Sequence, residues 1–534
     1  MFAKKVLFVV LAVGLLAAAG PVQAQTYFNN GGGDLNYATP ANWSTGLIPA
    51  AGETAVIGSS YVVALSSDVS ASQPSILQIG DQTAGTPGEL DVSGDLLTTV
   101  LTTTSSIQVG FGTTAPGTLV VSGGTVSCAG DGLDVGYSGV GTLTQTGGRI
   151  NCGSESGPNL NIGFTAGSTG TATFDGTASL EASAFRVGYH GTGTLNVQGN
   201  ASIKAGASCY VGYQTDAGIS GTVNVSGNGT LWCDRMDLGI NRPAYYNQSG
   251  GTVTAQSIFA VGYSANSTES GTATLSGGQL NTNDFEIVRA GGGPTCKFTQ
   301  TGGTLQAGSV IIGNGTGTAT YNMSDGTLND TGSFMLGNTG ATATFSQSGG
   351  TVNVTGGSIT SNNSGVLALS GGTLNMSGGT IGSVIFQFSG GTLLNANVTT
   401  RIALTGAKAV ISNDAGYDGT ISGIISGSGA GFTKQGLGKL TLTGHLTYTG
   451  ATTIDAGTLA IDNGVSTTLS SISGAGTLSV GATQADTTLT ATSIAVDTLT
   501  IGVPPTAAAV PEPGTLVLLF LAGLACAGVY LRRK

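Results

Sequence analysis

Apolar and polar residues alternate along this chain in short runs, and each run ends at Gly or Asn. Residues 184–207 show one unit of the pattern. Phe185-Arg186-Val187, Leu195-Asn196-Val197 and Ser202-Ile203-Lys204 each alternate, and Gly191, Gly193, Gly199 and Asn200 lie between them. A two-residue period sets Phe185, Val187, Leu195, Val197 and Ile203 on the inner face of three short strands. Gly and Asn supply the positive φ that the corners require. Five inward side chains are too few to offset the ordering of the whole unit, so one unit cannot stand alone.

The unit recurs. An apolar residue followed by Gly returns at Gly80, Gly110, Gly136, Gly163, Gly188, Gly212, Gly239, Gly262, Gly313 and Gly337, with Arg289 filling the slot in the long gap. A second column follows a Gly-Gly or Gly-Asn turn and runs from Val126, Ile150, Leu180 and Ile203 to Val352, Leu374 and Leu393. Stacked units bury a continuous core and satisfy one another's backbone groups, as solenoids do. The pattern predicts an all-β fold, a right-handed parallel β-helix with about 24–26 residues per coil.

Composition agrees. Gly accounts for 92 of 534 residues, yet only 8% are charged, 40% are hydrophobic and the mean hydropathy is +0.24. So many apolar residues with so little charge exclude a disordered chain. Gly has no three-residue period, which excludes collagen.

Both ends read differently. Lys4 and Lys5, the apolar run Val6–Ala19 and Val22-Gln23-Ala24 form a secretory signal with cleavage after Ala24. Thr515–Leu531 is a 17-residue apolar stretch followed by Arg532, Arg533 and Lys534. That is the minimum length for a membrane-spanning helix, and the basic tail directs its end to the cytoplasm. Without Lys4, Lys5, Arg532, Arg533, Lys534 and Glu512, the 16 basic and 27 acidic residues fall to 11 and 26, a net charge of −15. Such a surface repels nucleic acid.

Val510-Pro511-Glu512-Pro513-Gly514, the apolar stretch and the basic tail together resemble a PEP-CTERM sorting signal. The resemblance implies export, then recognition and cleavage near Pro511, Glu512 and Pro513 by an exosortase-type processing peptidase, with a membrane anchor before processing. Residues 429–461, with Lys434-Gln435-Gly436-Leu437-Gly438-Lys439-Leu440, Thr447-Tyr448-Thr449-Gly450 and Gly457-Thr458-Leu459, resemble an autotransporter-associated β-strand repeat. Leu446 stands where that family usually has Asn. The opening segment, with Ala41-Asn42-Trp43, is similar to the N-terminal cap of such repeat proteins, where Trp43 would plug the open core. The chain accordingly divides into a signal peptide (1–24), a cap (25–75), β-helix repeats (76–400), an autotransporter-associated-repeat-like region (401–500), a linker with the PEP motif (501–514), and a transmembrane helix with its tail (515–534).

Chemistry is sparse. His190 and His445 lie in unrelated units, no nucleophile-elbow Ser occurs, and no clustered His and Cys offer a zinc site. The bases are scattered along the chain, so neither catalysis nor a cofactor or metal is expected. Phe111, Tyr137, Phe164, Tyr189, Tyr213 and Tyr263 each follow the recurring Gly, with Ile240 in the same slot. Stacked coils bring such rings to contact distance. Parity with the preceding inward Val or Ile favours an internal stack over a platform for an extended glycan. Cys128 and Cys152 occupy matching slots in adjacent coils, where a disulfide and simple packing both remain open. Glu181 and Lys204 occupy matching outward slots and predict a surface ion pair. The reading is an exported, non-catalytic rod of the cell surface or extracellular matrix with a structural or adhesive role. Its alternative is a protein that binds or degrades extracellular polysaccharide.

Overall fold

The computed structural model describes residues 24–502, apart from 82–84, 95–99, 153–158, 215, 217, 264–270, 290–292, 364 and 485. The expected signal peptide, except for Ala24, and the expected PEP motif, membrane helix and basic tail lie outside the described residues. No helix among those residues is long and apolar enough to cross a membrane.

The chain winds into an all-β solenoid of about 18 coils, each laid in parallel on the one before. Alternation sets the inside from the outside. In Thr192–Val197 the side chains of Leu195 and Val197 are buried, while Thr194 and Asn196 between them are not. The strand begins at Thr192, earlier than the glycine-rich sequence suggests, because Gly193 pairs with Gly170 below and Gly221 above. The column read from the sequence is realised in register: Val126 opposes Ile150, then Leu180, Ile203 and Leu231, and so on to Leu374 and Leu393. These side chains form the spine of one continuous core.

Coil length changes along the axis. Partners advance from Val135 to Ile162 and then Val187, but later from Phe386 to only Ile402 and from Leu442 to Ile461. The later coils are shorter because their turns are cut back.

Some inward positions hold polar residues with a defined task. Gln145 is fully buried, and its Nε2 donates to Gly147 O (3.1 Å), Gly148 O (3.1 Å) and Ser179 O of the next coil (3.0 Å). Gln248, Gln300 and Gln347 repeat the arrangement at equivalent turns. Each amide satisfies carbonyls that the turn leaves inside the core, where an unpaired group would be costly. Lys434 does the same work in a later coil, its Nζ donating to Gln435 O (2.5 Å) and Gly436 O (2.9 Å). Burial pulls its ammonium down to about 8.

At the N-terminal end Trp43 is buried against Phe28 and Tyr37, and its Nε1 donates to Tyr37 O (2.8 Å). Cys128 and Cys152 sit one above the other with Cα atoms 4.8 Å apart and their sulfurs bonded. Cys209, Cys233 and Cys296 are buried free thiols.

The corners depend on glycine. At Gly136 φ is +72°, and an added Cβ would lie 2.4 Å from Thr169 O of the next coil. Gly167 has φ +79° with nothing within 4 Å of such an atom. Gly167→Ala therefore carries only the backbone penalty, about 1–2 kcal/mol, whereas Gly136→Ala must also push two coils apart. Thermal unfolding followed by circular dichroism is expected to show the larger drop for Gly136→Ala. Equal drops would mean that the close approach of the coils carries no weight.

Candidate functional site

The same glycines build the most distinctive surface of the molecule. Gly110, Gly136, Gly163, Gly188 and Gly212 all have φ between +68° and +73°. Each follows a buried Val or Ile: Val109, Val135, Ile162, Val187 and Val211. A residue in this left-handed region breaks the alternation of the strand. The following side chain, which shares the parity of the inward Val or Ile, is thrown outward. Phe111, Tyr137, Phe164, Tyr189 and Tyr213 are accordingly half-buried at an outer corner. This corrects the internal stack that simple alternation favours.

The five rings form one ladder. Centroids lie 5.4 Å apart for Phe111 and Tyr137, 5.1 Å for Tyr137 and Phe164, and 5.6 Å for each of the next two steps. Ile240 interrupts it, and Tyr263 resumes it between Arg235 at 4.3 Å and Arg289 at 5.2 Å. Arg289 does not fill a glycine slot. Val288 holds that corner, with φ +54°, its N–H bonded to Val261 O, and Arg289 takes the ladder position after it. A β-branched residue is strained in that conformation. Farther on, the ladder positions hold Asn314, Asn338 and Asn362, with Asn338 donating to Asn314 and Asn362 to Asn338, both at 2.8 Å.

A second row runs beside the rings. Three residues before each ladder position lies an outward strand residue, and parallel register aligns Gln78, Gln108, Asp134, Asn161, Arg186, Tyr210 and Asp237. Gln108, Asp134, Asn161 and Asp237 face outward, yet each is buried. They are linked along the axis. Gln78 Nε2 donates to Gln108 Oε1 (3.1 Å), Asn161 Nδ2 to Asp134 Oδ1 (2.7 Å), and an Arg186 guanidinium N–H to Asn161 Oδ1 (3.5 Å). Arg235 and Asp237 form an ion pair at 2.5 Å, and Arg289 pairs with Glu286 at 3.1 Å.

Burial sets the electrostatics. It pushes the Asp134 carboxyl up to about 7, against the hydrogen bond from Asn161. It pushes Asp237 up to about 6, although Arg235 opposes it. Glu286 is raised by burial as well. Two clefts open along the ladder. One, of about 280 Å³, is lined by Asp131, Asp134, Tyr137, Asn161, Phe164, Arg186 and Tyr189 among others. The other, of about 340 Å³, is lined by Tyr210, Tyr213, Arg235, Asp237 and Tyr263 among others.

The bases are thus less scattered than the sequence suggests, because Arg186, Arg235 and Arg289 share the ladder face. The polar row escaped the sequence reading, although a polar side chain three residues before each ring from Phe111 to Tyr213 was a signal in plain view.

Other sequence candidates lie elsewhere. Glu181 meets Lys204 at 3.5 Å and Arg149 at 3.1 Å on the surface. Asn329, Asn353 and Asn375 donate along a second amide ladder. His190 pairs with Asp216 beside Tyr189, far along the chain from His445.

Two family models match the chain. Residues 432–461 match the passenger-associated-transport-repeat, and residues 509–534 match the PEP-CTERM protein-sorting motif. The chain is also similar to the adhesin BmaC autotransporter of Brucella suis biovar 1 (strain 1330). The two are 28% identical over 330 residues, which span 58% of this chain and 8% of that protein. No solved structure matches the chain. Sorting motif and passenger-type repeat together mark an exported surface β-helix protein.

The raised acids fix a pH dependence. An acid whose folded value lies above its unfolded one favours the fold when protonated. That stability is full below 3.8, the ordinary value for Asp134, and is lost as pH rises through about 7. The melting temperature is expected to fall between about pH 5 and about pH 7.5, and Asp134→Asn to flatten the fall. A slope unchanged in Asp134→Asn would remove Asp134 as its source.

Proposed function

We propose that this protein is a non-catalytic adhesive rod, sorted by an exosortase-type peptidase, that meets extracellular polysaccharide along its aromatic ladder. The observation that carries the reading is the half-exposed stack from Phe111 to Tyr213, an unbroken strip of aromatic rings along the solenoid axis. Pyranose rings present apolar faces that suit such a strip. The similarity to a passenger-type adhesin supports an adhesive role.

The test is direct. Each ring contact is worth on the order of 1 kcal/mol, so the double variant Tyr137→Ala, Phe164→Ala is expected to weaken capture on immobilised polysaccharide about thirtyfold. Unchanged capture would sink the adhesive use of the ladder.

Sorting follows from the C-terminal segment. Pro511 and Pro513 are residues that disfavour helix, which suits recognition of this peptide by a peptidase. The apolar stretch holds the chain there and Arg532, Arg533 and Lys534 orient it. The mature protein is expected to lack residues 1–24 and those after about Pro513, and an Ala-Ala-Ala replacement of Pro511-Glu512-Pro513 to stay in the membrane fraction. Mass spectrometry decides: an intact terminus at Lys534 in a strain containing an exosortase would refute the sorting step.

A further inference from the structure

The ladder alone gives adhesion without selectivity, and the buried polar row beside it supplies what is missing. We infer that this row is a hydroxyl-reading site for a neutral glycan laid along the solenoid axis, with Asp134, Asn161 and Arg186 contacting one stretch of sugar and Arg235 and Asp237 the next. The inference rests on the reading of the ladder as a glycan platform and names the ligand class.

Position is the first argument. Both clefts have ladder rings on the wall and the polar row on the floor. A sugar lying across the outer edges of Tyr137 and Phe164 presents hydroxyls to Asp134 and Asn161. Hydrogen-bonding capacity is the second. Asp134 Oδ1 already accepts from Asn161, and a carboxyl group has lone pairs left for a hydroxyl. Arg186 stacks on Tyr189 at 5.0 Å, and its buried Nε–H has no partner among the described residues. Acceptor, amide and donor thus follow one another from coil to coil, which suits a polymer whose hydroxyls both give and accept.

Charge selects between neutral and anionic polymers. In the first cleft Arg186 faces Asp131 and Asp134. In the second Arg235 is already paired with Asp237, and beyond it Arg289 with Glu286. Each of these three guanidiniums thus has a carboxyl group of the protein near it, and the exported body carries excess negative charge. An anionic polymer would meet repulsion here, whereas a neutral one meets paired dipoles.

The experiment titrates the full-length protein with cellohexaose, xylohexaose, mannohexaose and hexagalacturonate by calorimetry at low and high salt. At least one neutral hexaose is expected to bind with little salt dependence, and hexagalacturonate not to bind. Asp134→Ala and Arg186→Ala are each expected to weaken that binding about tenfold. Because either variant risks misfolding, hydrogen exchange of the unaltered protein is measured as well. The bound hexaose is expected to slow amides in 131–137 and 159–164. Binding that is lost in Tyr137→Ala but unchanged in both floor variants, with exchange at those segments unaltered, overturns the inference and leaves the ladder reading standing. Salt-sensitive binding of hexagalacturonate alone overturns the neutral class. Binding of none of the four removes the platform reading and the inference with it.

Discussion

The ladder face of this protein is arranged by one constraint, the close approach of the glycine corners from Gly110 to Gly212 to the backbone of the next coil. At Gly110, Gly136, Gly163 and Gly188 the space for a Cβ is taken by carbonyl oxygens 2.4–2.6 Å away. Only a residue without a side chain and tolerant of positive φ fits there. Because the corner recurs at one place in successive coils, whatever follows it recurs at one place on the surface. Parallel register then converts a sequence period into a spatial row spaced by the coil rise. The inner hydrophobic column and the outer ring ladder are two consequences of that single fit.

The row beside the rings raises an energetic question of its own. Asp134, Asn161 and Asp237 face away from the core and yet are withdrawn from water by the ladder and by each other. Such desolvation is tolerated only where partners replace the lost water. Here Asn161 is held from both neighbouring coils, by Asp134 and Arg186, and Asp237 is held by Arg235 of its own strand. The raised carboxyls of Asp134 and Asp237 show that the replacement is incomplete. The same incompleteness leaves hydrogen-bonding capacity directed at the clefts.

The inner architecture was legible in the sequence because buried positions obey two-residue alternation, and the column from Val126 to Leu393 could be read residue by residue. The direction of the ladder was not. Tyr137 and Val135 share parity, and only the φ of Gly136 between them, a backbone property, separates outside from inside. Arg289 misled for a related reason: Val288 adopts the glycine conformation without being glycine, so the corner shifted by one position. The inward Gln145, Gln248, Gln300 and Gln347 were not singled out in the sequence, because their task, closing turn carbonyls, depends on backbone groups that alternation does not reveal. The polar row was missed because its members differ in type, from Gln108 to Asp134, Asn161 and Arg186. Position rather than identity repeats there.

That difference in type matters for what the surface does. A ladder of one residue type presents the same contact at every coil and lets a polymer slide along it. The ring ladder has this character, since Phe and Tyr offer similar faces. The row beside it has a different hydrogen-bonding character at each step, so a bound chain fits in few registers. Rigid stacking keeps both rows in place before a ligand arrives, and little ordering cost falls on the protein at binding. Individually weak contacts at successive coils then add within one ligand, because the first fixes the position of the rest. On the reading proposed for the ladder, the solenoid would hold a polymer by repetition, and the mixed row would decide which polymer it holds.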